Sequence, residues 1–107
     1  MSRERIQELN DAFRTTLRGG KFALTRAMLN LRIDDINGAV RAMQQFDHFN
    51  EDNDPFGEHD FGRFEVSGMS LYFKIDYFDV EGKDRSPDPS RPEKTRRVLT
   101  LGMCGET

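Results

Sequence analysis

The sequence predicts an α+β domain: two helices packed on one face of a three- to four-stranded, mainly antiparallel sheet. Apolar residues recur at helical spacing near the start of the chain and again over residues 34–46. Across residues 64–77 they recur at every second position on both sides of a Ser-Gly pair. The order is helix, strand, helix, then three strands. At 107 residues and 12.4 kDa, residues 1–107 form one domain.

The first helix starts at Ser2, a capping residue, with Arg3 and Glu4 behind it. Ile6, Leu9, Phe13 and Leu17 fall on one face. Gly19-Gly20 is expected to end the helix. Phe22 and Leu24 alternate with Lys21, Ala23 and Thr25, which reads as a short strand; residues 26–33 fit no single pattern. Asp34 or Asp35 is expected to cap the second helix, whose buried stripe is Ile36, Val40, Met43 and Phe46 beside Ala39. Asp54-Pro55 stops any helix from running further.

A turn at Ser67-Gly68 sets Val66 opposite Met69 and Phe64 opposite Leu71. Phe64, Val66, Met69, Leu71, Phe73, Ile75 and Tyr77 then share one face, with Arg63, Glu65, Tyr72, Lys74 and Asp76 on the other. Residues 79–95, with three prolines, read as a long loop. In the last strand, over residues 96–103, Leu99, Leu101 and Met103 alternate with Val98, Thr100 and Gly102.

Several function classes are bounded by composition. Net charge is −3, against a general nucleic-acid binder, which needs excess Lys and Arg to replace phosphate counterions. Cys104 is the single cysteine, so no internal disulfide forms and a cytoplasmic location is expected. No apolar run follows Met-Ser-Arg-Glu-Arg, and none approaches the roughly 20 residues that cross a bilayer. Neither a secretory signal nor a membrane partner is expected.

The most informative stretch is residues 47–60, which hold six carboxylates, both histidines and no Lys or Arg. Like charges repel, so this run needs solvent, a cation, backbone N–H donors or a basic partner. A calcium-loop alignment from Asp52 puts Asp54 at position three, Gly57 at six and Asp60 at nine; it fails at Phe56 and at Arg63, where a bidentate Glu belongs. His48 and His59 lie eleven positions apart, no zinc spacing, so no metal and no cofactor is expected. Glu58, His59 and Asp60 form the alternative, an acid–base or metal-dependent hydrolase centre with Lys74 and Asp76 nearby. Asn53, Asp52 and Asp54 also have ordinary turn chemistry, which would make the segment structural.

The run Glu51-Asp52-Asn53-Asp54-Pro55, then Gly57-Glu58-His59-Asp60-Phe61-Gly62, resembles the signature of a small bacterial domain-of-unknown-function family. Lys74-Ile75-Asp76-Tyr77, Ser86-Pro87-Asp88-Pro89 and Thr95-Arg96-Arg97-Val98-Leu99-Thr100 extend the resemblance over nearly the whole chain. It departs at Phe56, where a polar or histidine residue is expected, and at the end, Cys104 to Thr107, which lacks an acidic-aromatic finish. The resemblance implies a compact cytoplasmic bacterial protein, in some cases carried on mobile elements, and supplies no activity.

The preferred reading is a non-enzymatic binding protein, an inhibitor or regulator of a bacterial macromolecular partner with a basic surface. An anti-defence role, against restriction or CRISPR systems, is one form of it. Its expected binding residues are Glu51, Asp52, Asp54, Phe56, Glu58, His59 and Asp60, with alanine at Asp52, Asp54 or Glu58 expected to leave stability intact. Arg91, Lys94, Arg96 and Arg97 are expected to neutralise the acidic run or to sit solvated; a second, anion-binding patch is the sharper alternative.

Overall fold

The computed structural model describes residues 2–105. Its elements are α1 (Arg3–Thr16), β1 (Gly20–Leu24), α2 (Arg26–Leu29), α3 (Ile33–Gln45), β2 (Phe61–Val66), β3 (Met69–Phe78), a 3-10 turn (Pro92–Lys94) and β4 (Arg96–Met103). The strands form one sheet in the order β1-β4-β3-β2. β1 runs parallel to β4, and the other two pairs are antiparallel. This is an α+β fold on a mostly antiparallel sheet.

The hairpin takes the expected register, Val66 against Met69 and Phe64 against Leu71. Leu71, Phe73 and Ile75 of β3 and Leu99 and Leu101 of β4 are buried in one core with Phe13 of α1, Met28 of α2 and Ala39 and Met43 of α3. Phe46, just past α3, meets Phe49 and Phe73 edge-to-face at 4.9 and 5.4 Å between ring centres.

Three local expectations shift. Ser2 caps α1, its Oγ accepting from the Arg5 N–H at 3.1 Å, but the helix ends on Leu17 in the left-handed conformation (φ 60°), ahead of the glycine pair. Gly20 is needed for another reason: a Cβ there would strike the Arg97 carbonyl and lie 2.8 Å from the Phe13 ring. Asp34 and Asp35 sit in the first turn of α3, favourable for the helix dipole, while Arg32 holds the cap position. The buried face of α1 is also rotated. It consists of Ile6, Asn10, Phe13 and Arg14, so two polar side chains enter the interior where Leu9 and Leu17 were expected to lead.

The 79–95 segment is built, not loose. Beyond Phe78 the chain turns back along β3: Phe78 bridges Arg85, the Asp79 N–H donates to Asp84 O at 2.8 Å and the Ser86 N–H to Tyr77 O at 3.2 Å. Asp79 Oδ1 accepts from the Lys83 N–H at 3.0 Å, and such backbone donors hold its carboxyl below the usual range. Ser86 and Thr95 hydroxyls meet at 2.6 Å and close the base of the loop.

Candidate functional site

The acidic run folds as a turn whose own polar side chains satisfy its backbone. Asn50 Oδ1 accepts from the N–H groups of Asp52 and Asn53 at 2.8 and 3.1 Å, and Asn53 Nδ2 donates to His48 O at 2.7 Å. Asp54 is buried, 8% exposed, and its carboxylate accepts from the N–H of Glu58 at 3.1 Å and of His59 at 3.2 Å. This holds His59 in the left-handed conformation (φ 57°), which few non-glycine residues adopt. With these bonds on a buried side chain, alanine at Asp54 is now expected to cost stability.

The turn is docked on α1. Gln7 Nε2 donates to Gly57 O at 2.9 Å and Asn10 Nδ2 to Glu58 O at 3.0 Å. His59 Nδ1 donates to the Asp11 carboxylate at 2.9 Å, and Asp11 also accepts from the buried Arg14 at 3.0 Å. The His59 ring stacks on Phe49 with centres 3.8 Å apart, and its Nε2 lies 3.7 Å from Asp54 Oδ2. Both ring nitrogens thus face carboxylates, and the imidazole has a structural task. His48 is exposed beside Asp47 and does not meet His59.

A buried polar relay crosses behind the turn. Arg97, 3% exposed, donates through Nε to Asn10 Oδ1 at 2.8 Å and through Nη2 to Pro89 O. Asn10, fully buried, donates to the Tyr77 hydroxyl at 2.7 Å, and that hydroxyl donates to Glu58 Oε1 at 2.8 Å. Burial and the Glu58 bond push the tyrosine pKa well above its ordinary value, so it stays protonated and donating. Burial lowers that of Arg97, partly offset by Tyr77 and Glu58.

In front of this relay lies an open cleft of about 500 Å³. It is lined by Phe56, Glu58 and Asp60 of the turn, by Ile75, Asp76, Tyr77 and Phe78 of β3, and by Arg85, Ser86, Pro87 and Pro89 of the segment that follows. Among the described residues Glu58 and Asp60 make no salt bridge, and Glu58 Oε2 carries no hydrogen bond; Asp76 pairs with Lys74 at 3.4 Å on the strand. Burial, with Glu58 and then Asp54 and Asp76 repelling it, raises the pKa of Asp60. Phe56 is 69% exposed at the rim, an apolar surface beside the acids.

Of the sequence-derived candidates, the cleft collects Phe56, Glu58 and Asp60. Glu51 and Asp52 are exposed outside its lining, and Asp54 and His59 support it from behind. Asn10 and Asp11 went unmarked, and Tyr77 was placed only on the apolar sheet face. Arg97, expected to neutralise the acidic run or sit solvated, is instead buried against Asn10 and Pro89 without a salt bridge among the described residues. These roles depend on contacts across as many as 87 positions of chain. Among the described residues no group of three or more His, Cys, Asp or Glu stands together as a metal site. Nor is any helix long and apolar enough to cross a membrane.

Residues 24–106 match the model of a family described as "Protein of unknown function (DUF3768)". The chain belongs to that family. The match begins at the end of β1 and takes in the acidic turn, the hairpin, the proline-containing segment and β4, while α1, with Asn10 and Asp11, lies ahead of it. No curated protein and no solved structure matches the chain.

Proposed function

We propose that this protein is a non-enzymatic binding module whose acidic cleft receives a cationic side chain from a macromolecular partner. One observation carries this reading: Glu58 and Asp60 share an open cleft, and among the described residues neither makes a salt bridge. A guanidinium or ammonium group entering there offsets the burial, and after it the repulsion from Glu58, that raise the Asp60 pKa. Phe56, Ile75, Pro87 and Pro89 offer apolar contact to its aliphatic stem. The exposed Glu51 and Asp52, outside the cleft lining, add long-range attraction, which speeds encounter with a basic surface. Such a surface suits an inhibitor or regulator that covers the basic face of a bacterial partner, an anti-defence target being one instance.

Calorimetric titration with an arginine-rich peptide, against a glycine-serine peptide of equal length, tests the reading. Saturable binding of the basic peptide is expected, weakening as salt rises. A Glu58→Gln/Asp60→Asn variant is expected to bind about tenfold more weakly. Glutamine keeps an acceptor for the Tyr77 hydroxyl, so the fold is retained. Absence of binding, or equal binding by the double variant, rejects the proposal.

A further inference from the structure

A second cleft, of about 520 Å³, opens on the other side of Phe78, and its lining contains no acidic residue. Lys21, Phe78, Arg96 and Val98 line it, with the backbone of Gly19 and Gly20 and the hairpin tip at Gly82. The sheet register brings these side chains together. Lys21 stands opposite Val98, and Phe78 opposite Arg96, while Arg96 and Val98 are two residues apart on β4. All four therefore project from one face, the face away from Leu99 and Leu101. Lys21 and Arg96 are diagonal neighbours there, with backbones roughly 7–8 Å apart, close enough for two cations to hold one anion.

Among the described residues neither cation is neutralised: the side chains of Lys21 and Arg96 make no ion pair and no hydrogen bond there. The acids of the adjoining hairpin, Asp79, Glu81 and Asp84, are not part of the lining, and Asp79 is turned to its own backbone. Asp76, on the same face, pairs with Lys74 and lines the acidic cleft. The Arg96 guanidinium instead lies against Gly82, where a Cβ would sit 3.4 Å from Nη1. In a chain of net charge −3, two unpaired cations converging on an acid-free cavity mark a place where an anion is accommodated.

We propose that this cleft binds a small phosphorylated molecule. Arg96 supplies a planar fork that matches phosphate oxygens, and Lys21 adds a mobile ammonium. The backbone of Gly19, Gly20 and Gly82 contributes to the rest of the lining. The volume exceeds an inorganic phosphate, and the Phe78 and Val98 side chains give an apolar surface to the organic part. The overall negative charge and the acidic cleft next door disfavour a polynucleotide, which would span both. This site is independent of the acidic cleft and of the function proposed for it.

The test is calorimetric titration of the full chain with inorganic phosphate, adenosine monophosphate and a short single-stranded oligonucleotide. Saturable binding of the mononucleotide, displaced by inorganic phosphate, is expected. Arg96→Ala and Lys21→Ala are each expected to weaken it about tenfold. Both residues are exposed, so melting temperature should hold in both variants. Arginine-peptide binding should also be unchanged, which separates this site from the acidic cleft. Binding of the oligonucleotide alone, lost in the same variants, would keep the phosphate site and assign it to a nucleic-acid backbone. No saturable signal up to about 10 mM of any probe, or binding indifferent to both substitutions, overturns the proposal.

Discussion

The acidic turn and the basic rim of β4 are both runs of like charge in sequence, yet the fold treats their members in opposite ways. In the turn, Asp54 is drawn inside to cap two backbone N–H groups, Glu58 gives one oxygen to Tyr77, and Asp60 stands in the cleft without a salt bridge among the described residues. In the rim, Arg97 is drawn inside to Asn10 while Arg96, its neighbour, stays exposed beside Lys21. The rim divides so sharply because a strand alternates: consecutive residues must point to opposite faces. The turn divides by local hydrogen bonding, with no period to read. A charge run is therefore not one surface, and each charge belongs to structure or to recognition according to the backbone that carries it.

The hardest blow to this division is expected at Asn10, where the relay behind both regions converges. Asn10→Ala removes three hydrogen bonds from a fully buried residue and strands the Arg97 guanidinium beside it. A loss of about 3 kcal/mol is expected, from unsatisfied groups including a charge. For a domain of this size that lowers Tm by on the order of 10 °C or more. Urea unfolding with an unchanged m-value checks it; a loss under about 1 kcal/mol would show the relay is not what ties the turn to the sheet.

Asp54→Ala comes next. It leaves the Glu58 and His59 N–H groups without their acceptor and releases the turn from its left-handed residue. A destabilisation of about 2 kcal/mol is expected. Asp52→Ala, in the same run but with an exposed side chain, is expected to stay within about 0.5 kcal/mol of the parent. Equal effects at the two positions would erase the distinction between structural and free acids, and thermal melts of the pair decide it.

The parts of this architecture legible in sequence are those with a period. The hairpin register came from alternation on both sides of Ser67-Gly68, and α3 from the spacing of Ile36, Val40, Met43 and Phe46 beside Ala39, of which Met43, Ala39 and Phe46 are buried and Ile36 and Val40 half-buried. Asn10 and Arg14 escaped notice because a hydrophobic pattern cannot reveal a polar residue that enters the core with its partners. The one-turn α2 is too short to show a period. The parallel pairing of β1 with β4 joins residues more than 70 positions apart, and Gly20 permits it through a contact invisible along the chain. Both clefts arise at Phe78, from the way the chain folds back after β3, so their residues were readable one by one but not as sets.

The smallest effect is expected at Asp60, and its sign is the informative part. Folding raises the Asp60 pKa, because burial and the neighbouring Glu58 disfavour its charged form. Protonation is then more favourable in the folded chain than in the unfolded one. The ionised group accordingly destabilises the fold at neutral pH, and this penalty disappears as pH falls through the raised folded-state value toward the unfolded one. Asp60→Asn is thus expected to stabilise the protein at pH 7, by no more than about 1 kcal/mol, and to leave it unchanged well below the ordinary carboxylate range. The same substitution is expected to weaken capture of a basic peptide, and in the parent that capture should fade as Asp60 takes up its proton. Stability and binding then move in opposite directions at one residue, as they do where a site is held in tension for a ligand. If Asp60→Asn instead lowers Tm at pH 7, the carboxylate has a stabilising partner in the fold, and the acidic cleft loses the group on which its selectivity for a cation depends.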